Sequence, residues 1–315
     1  MPGSAREESL ILLEIFHVIL TALSSCLCCS WRTPDALTAG DWPLVHSVPN
    51  AVAYSVMSIP LSLAGKVALI SGGSRGIGAA TVRMFAAADA KVAFSYRSAR
   101  SQAEALAKER GPNVVPMACD LNNPDAARSL VGKTVEHFGR LDILVANHGV
   151  WPVEDVPIER MSNEQWRSTM STNLDGVFGL VKHAVAQMKA QPRTSGTAGH
   201  IVLISSTSGQ RGEAYHCDYS ATKGALISMT KGLSTELASA GIYVNCVAPG
   251  WVDTDMSAEA IEDPKSGEQI LRTIPLGRVG KPEEIAAPVL FLCTQHAGFI
   301  TGEIFNVNGG AVLAG

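Results

Sequence analysis

An α/β fold, with one doubly wound parallel sheet and helices on both faces, is predicted by three observations. From about Ala64 onward, short apolar runs alternate with longer helical stretches. The runs are almost continuously hydrophobic, as strands covered on both faces must be. Neither an internal repeat nor a low-complexity linker interrupts the alternation after Ala64. Strand, helix, strand in succession requires right-handed crossovers and therefore a layered, parallel architecture.

Taken in order, the predicted strands are 67–71, 92–96, 114–119, 143–146, 201–205 and 244–247. Each is short and rich in β-branched or other apolar residues, and helical stretches separate them. The stretch 254–277 breaks this rhythm with two prolines and mixed charge, and reads as a helical insertion or lid over a site. Residues 60–315 are therefore expected to form one domain, and 1–59 an N-terminal extension whose role the sequence leaves open. Within that extension, 10–31 is mostly apolar but contains Glu14 and His17 and follows Glu7 and Glu8. A secretory signal needs a positive start and a transit peptide needs arginine and few acids, so neither fits well. The length would suffice for a membrane anchor, although Glu14 would be costly in lipid. An extension without a role, an untranslated stretch with Met57 as the working start, an anchor and a targeting signal all stay open.

Composition narrows the function. The 315 residues are 46% hydrophobic and 17% charged, enough for a substantial core. A net charge of −4 gives no reason to expect nucleic acid as a partner. Cys119, Cys217, Cys246 and Cys293 are scattered through apolar runs and read as free thiols in a reducing compartment, so a cytoplasmic location is expected. Cys26, Cys28 and Cys29 have no histidine downstream at ligand spacing, so no metal site is expected.

The first strand runs into Ser71-Gly72-Gly73-Ser74-Arg75-Gly76-Ile77-Gly78, followed by a helical stretch. Glycines at 72, 76 and 78 allow a tight turn and close approach of a pyrophosphate, which would sit at the positive end of the helix. Ser74, Arg75 and Ile77 belong to the same loop. The spacing G-x3-G-x-G differs from G-x-G-x-x-G. Its place at the first strand–helix junction of a doubly wound pattern nonetheless marks a Rossmann-type dinucleotide site. The second strand chooses the dinucleotide. An NAD site usually places an acid there for the ribose 2′-hydroxyl. Here Tyr96, Arg97 and Ser98 follow Phe94 and Ser95 without one. Arg97 and Arg75 suit a 2′-phosphate instead, so NADP(H) is expected over NAD(H).

Tyr219 and Lys223 lie four apart, on one face of a predicted helix. A nearby ammonium favours phenolate and would make the tyrosine a general acid/base. Bringing the phenol to about 7 would take roughly 4 kcal/mol of differential interaction.

These motifs, in this order, resemble the short-chain dehydrogenase/reductase family, and within it the 3-oxoacyl-[acyl-carrier-protein] reductase type, over residues 60 to 313. The resemblance implies catalytic roles for Ser206, Tyr219, Lys223 and Asn173. Asn173 would hold a water that connects Lys223 to solvent. It also implies cofactor contacts from Asp120 and Leu121 at the adenine end, Asn147 and Gly149 beside the central strand, and Lys223 at the nicotinamide ribose. Pro249, Gly250, Val252 and Thr254 would grip the carboxamide. Residues 300–303 resemble the last strand, and 308–310 the C-terminal turn. The chain departs from the family's Asn-Asn-Ala-Gly segment at Ala146 and His148; the latter reads as a packed histidine. Each carried-over role has a physical basis: the Ser206 hydroxyl can donate to a carbonyl oxygen as charge develops, and Tyr219 can deliver the proton.

The expected reaction is NADP(H)-dependent reduction of a ketone, such as a 3-oxoacyl thioester, to a secondary alcohol. A polyol, sugar or secondary-metabolite alcohol dehydrogenase, or a non-catalytic NADP(H)-binding module, are the alternatives. The substrate is expected to be read by Trp151, Gln210, Arg211, Tyr215, Cys217, Trp251 and 254–277. The family resemblance further implies a homotetramer paired through helices near 165–190 and 219–240.

Overall fold

In the computed structural model, residues 60–193 and 196–313 are described. Seven parallel strands form one sheet in the order β3-β2-β1-β4-β5-β6-β7. These are β1 (Val67–Ile70), β2 (Lys91–Tyr96), β3 (Val114–Ala118), β4 (Ile143–Ala146), β5 (Gly199–Ile204), β6 (Ile242–Pro249) and β7 (Ile304–Val307). Helices fill every crossover, so the predicted doubly wound α/β class holds.

The two-residue period of the strands divides the core between the two sheet faces. Leu69, Leu144, Ile201, Leu203 and Val244 pack on one side with Leu130, Leu180 and Met188. Ile70, Phe94, Val145, Val202 and Val247 pack on the other with Val82, Phe85 and Val289. Each buried side chain of this size contributes about 1.5–3 kcal/mol of transfer free energy. Register at the base of the central pair is fixed by Asp142. Its carboxylate accepts from the Val67 N–H at 2.9 Å and from Arg140 at 2.7–3.0 Å.

The first six strands begin or end within two residues of expectation. The last does not: 300–303 is the turn into β7, which begins at Ile304. Gly302 takes φ +81°, a left-handed conformation that ends extended pairing, and its N–H donates to the Val244 carbonyl at 2.7 Å. The stretch 254–277 is helical as expected, over Ala258–Glu262 and Pro264–Arg272. The order in which strands are added switches from one side of β1 to the other at β4, and the crevice past the carboxyl ends of these two strands is where open α/β sheets bind ligands. Among the described residues no helix is long and apolar enough to cross a membrane. The stretch 10–31 and Cys26, Cys28 and Cys29 lie outside the described residues.

Candidate active site

A cleft of about 320 Å³ opens at this crevice. Of the predicted catalytic and cofactor-binding residues, all but Asn173 line it, from Gly72, Ser74, Arg75, Gly76, Ile77 and Gly78 through Tyr96, Arg97 and Ser98 to Ser206, Tyr219 and Lys223.

At the glycine end, the helix Gly76–Ala87 starts without a side-chain cap. Its first N–H groups thus form a ready anion site. Gly72 and Gly76 have φ of +65° and +53°, and a Cβ at Gly78 would lie 2.1 Å from the Gly72 carbonyl oxygen. Asn147 braces this turn by donating from Nδ2 to the carbonyls of Ser71 and Gly72 at 3.1 and 3.2 Å. Ser95, which the sequence reading missed as a support, accepts the Gly72 N–H through its hydroxyl and the Gly73 N–H through its carbonyl. An uncapped helix start above side-chain-free backbone fits a dinucleotide pyrophosphate. Asp120 and Leu121 line the wall beyond it. Arg97 is exposed at the rim. Arg75 is exposed too, and its Nη1 pairs with Asp255 Oδ2 at 3.3 Å. A bridge so open to solvent is worth about 0–1 kcal/mol, and a phosphate can displace it.

At the other end, the short helix Thr207–Arg211 crosses the helix Cys217–Leu237 so closely that a Cβ on Gly209 would lie 2.5 Å from the Lys223 carbonyl carbon. That crossing brings Ser206 beside Tyr219. The Ser206 oxygen accepts the Ser208 N–H at 3.1 Å, which leaves its own proton free to donate. Ser205 and Ser208 are spent on structure. Ser205 Oγ donates to the Lys223 carbonyl at 2.8 Å, and Ser208 Oγ bonds Ser220 Oγ at 2.7 Å. Asp218, absent from the predicted set, is fully buried. It accepts from the Tyr219 N–H at 2.9 Å and Thr169 Oγ1 at 2.8 Å, seating the first turn of Tyr219's helix. An acid at a helix start was the signal that could have found it.

Electrostatics correct one expectation. Tyr219 is pushed up to about 12, not down toward 7. Burial is the main cause; the Ser206 hydrogen bond opposes it, and the Glu213 carboxylate adds to it. Lys223 is itself buried, which lowers it to about 8. Its Nζ donates to the Ile204 carbonyl at 2.9 Å and lies 5.6 Å from the centre of the Tyr219 ring. The two side chains share a face as predicted, but desolvation of the phenol dominates its shift.

Asn173 sits below the cleft, fully buried, in the π-turn Ser171–Asp175. Its Oδ1 accepts the Val150 N–H at 2.8 Å; its Nδ2 donates to the Val150 carbonyl at 2.8 Å and to Thr222 Oγ1 at 3.3 Å. Both N–H bonds are committed, so it can offer a relay only acceptor capacity. Of the expected substrate readers, Trp151, Arg211, Trp251 and residues 254–257 line the cleft, and Gln210, Tyr215 and Cys217 do not. Trp151 stacks on His216 at 4.9 Å and meets Trp251 edge-on at 5.9 Å. Among the described residues no cluster of acidic, histidine and cysteine side chains could hold a metal ion.

A family model described as enoyl-(acyl carrier protein) reductase matches residues 72–312. A 3-oxoacyl-[acyl-carrier-protein] reductase from Synechocystis sp. is 38% identical over 256 residues, covering 80% of this chain and 99% of the relative. A short-chain dehydrogenase/reductase structure from Brucella melitensis, titled glucose/ribitol dehydrogenase, superposes with a TM-score of 0.73 at 34% identity, over 80% and 98% of the two chains. The chain belongs to the short-chain dehydrogenase/reductase family. As a member of that family it is an oxidoreductase acting on CH–OH/C=O groups. A blue fluorescent protein of a metagenomic library, solved in complex with NADPH, also superposes with a TM-score of 0.73 at 34% identity, covering 80% of this chain and all of that one.

Proposed function

We propose that the chain reduces a ketone, of the 3-oxoacyl thioester kind, to a secondary alcohol with NADPH. The observation carrying this reading is that Ser206, Tyr219 and Lys223 converge at one end of a cleft whose other end is the uncapped glycine turn. A relative named for 3-oxoacyl thioester reduction and a neighbour solved with NADPH support substrate and cofactor.

Bound in the cleft, the nicotinamide would supply the reducing equivalent as hydride. The glycine turn and helix start would hold its pyrophosphate, Arg75 and Arg97 its 2′-phosphate, and Lys223 its ribose. Ser206 donates a hydrogen bond to the substrate carbonyl oxygen as negative charge grows on it. Tyr219, raised to about 12, is fully protonated at neutral pH, the form a proton donor must start from. Passing its proton to that oxygen leaves a buried phenolate, which the Ser206 hydroxyl and Lys223 ammonium stabilise. Proton transfer of this kind contributes about 10²–10⁴-fold. Asn173 would reconnect Lys223 to solvent through a water held by its remaining acceptor capacity.

A pH dependence follows. Lys223 is charged below about 8 and neutral above it. Reduction measured as kcat/KM should therefore be level below about 8 and fall as the pH rises through it; a profile level to pH 10 would count against the role of Lys223. Cofactor choice is testable separately. Replacing Arg75 and Arg97 together by Ala should cut kcat/KM with NADPH by roughly ten- to a hundredfold, the worth of a charge-assisted hydrogen bond, and leave NADH nearly unaffected. Equal losses with both cofactors would remove the 2′-phosphate assignment.

Reduction of a carbon–carbon double bond is the second reading, favoured by the description of the matching family model. Turnover of 3-oxoacyl against 2-enoyl thioesters separates the two. We extend the proposal to a homotetramer, supported by the exposed Trp166 and Phe178 along the helical stretch 163–190. Sedimentation at micromolar concentration tests it.

A further inference from the structure

His148 occupies a position where the family motif carries alanine, and its ring is wired into the site from two sides. Ser71, just past β1, accepts the N–H groups of Asn147 and His148 at 3.0 and 3.2 Å, filling both lone pairs of its hydroxyl. The same oxygen lies 2.7 Å from His148 Nδ1 and 3.5 Å from the Val145 carbonyl, and the nearer nitrogen is the better acceptor for the Ser71 proton. Nδ1 is then an acceptor and Nε2 carries the ring proton. Nε2 is buried with no hydrogen-bond partner among the described residues. Gly176, next after the π-turn, makes room for the ring: a Cβ there would lie 2.9 Å from Nε2. Burial and the Lys223 ammonium hold the imidazole down to about 4, keeping it neutral at working pH.

We propose that His148 is a positioning residue for the reaction proposed above: its ring, held at Nδ1 by Ser71 and packed at Nε2 against Gly176, ties the end of β1 to the π-turn that carries Asn173. That turn in turn holds the Val150 backbone and Thr222, the neighbour of Lys223. The tie thus sets the π-turn and the Lys223 surroundings in register.

The test compares His148→Ala and His148→Gln, the latter keeping an N–H near Nε2. In His148→Ala, kcat should fall about tenfold and the pH limb that reports Lys223 should move, with the NADPH Kd unchanged. His148→Gln should recover most of the rate. Wild-type kcat and pH limb in His148→Ala, even with a lowered Tm, overturn the proposal. If His148→Ala does not fold, the ¹⁵N imidazole spectrum of the wild-type protein decides: an Nε2–H tautomer is expected, and an Nδ1–H tautomer overturns it. Tyr219→Phe serves as the control for the underlying reaction. If that variant keeps its rate, the reductase reading fails; if it is inactive while His148→Ala is normal, only the positioning role fails.

Discussion

Replacing Tyr219 by Phe should lower kcat for ketone reduction by about 10³-fold while NADPH binds as before. The change removes one oxygen from a half-buried ring in the cleft wall. The aromatic surface and the seat that Asp218 gives the helix stay in place. What disappears is the proton donor that Ser206 touches. Stopped-flow reduction and fluorescence titration of NADPH, run side by side, separate rate from binding. A variant within tenfold of the wild-type rate would show that another group delivers the proton.

Lys223→Met should abolish activity and also stabilise the fold. The folded value of about 8 lies below the ordinary 10.5, so the folded state disfavours the ammonium. The sign follows directly: the cost is fully present below about 8, declines between 8 and 10.5, and vanishes above. Methionine fills similar space without charge. After allowing for the Ile204 carbonyl left unpaired, the gain at pH 7 is on the order of 1–3 kcal/mol, a Tm rise of several degrees. The gap from wild type should narrow toward pH 10. A lower Tm at pH 7 would mean that the ammonium is not the buried liability its surroundings make it. The same burial that destabilises Lys223 places its charge where the phenolate forms.

The sheet was legible because burial on both faces leaves strands such as Ile143–Ala146 no polar position, a pattern that survives without knowledge of neighbours. The glycine turn was legible because Gly72 and Gly78 sit where a side chain would clash, which restricts the residue type itself. Tyr219 and Lys223 were legible as a pair because helix spacing alone puts them on one face. Their protonation was not. It depends on how deeply the helix Cys217–Leu237 is covered, which spacing cannot convey, so the expected fall of Tyr219 toward 7 became a rise to about 12. His148 was legible as a packed histidine but not in its role, because Ser71 and Gly176 are distant in sequence and meet its ring only when β1 and the π-turn close on β4. Gly302 hid the start of the last strand, since a run that opens with the β-branched Ile300 and Thr301 looks extended until its turn is built.

The most direct measurement is single-turnover oxidation of bound NADPH by a 3-oxobutanoyl thioester, followed in H₂O and in D₂O. Rapid formation of the 3-hydroxy thioester is expected, with a normal solvent isotope effect from the Tyr219 proton. Oxidation by a 2-enoyl thioester but not by the 3-oxo compound would contradict the account.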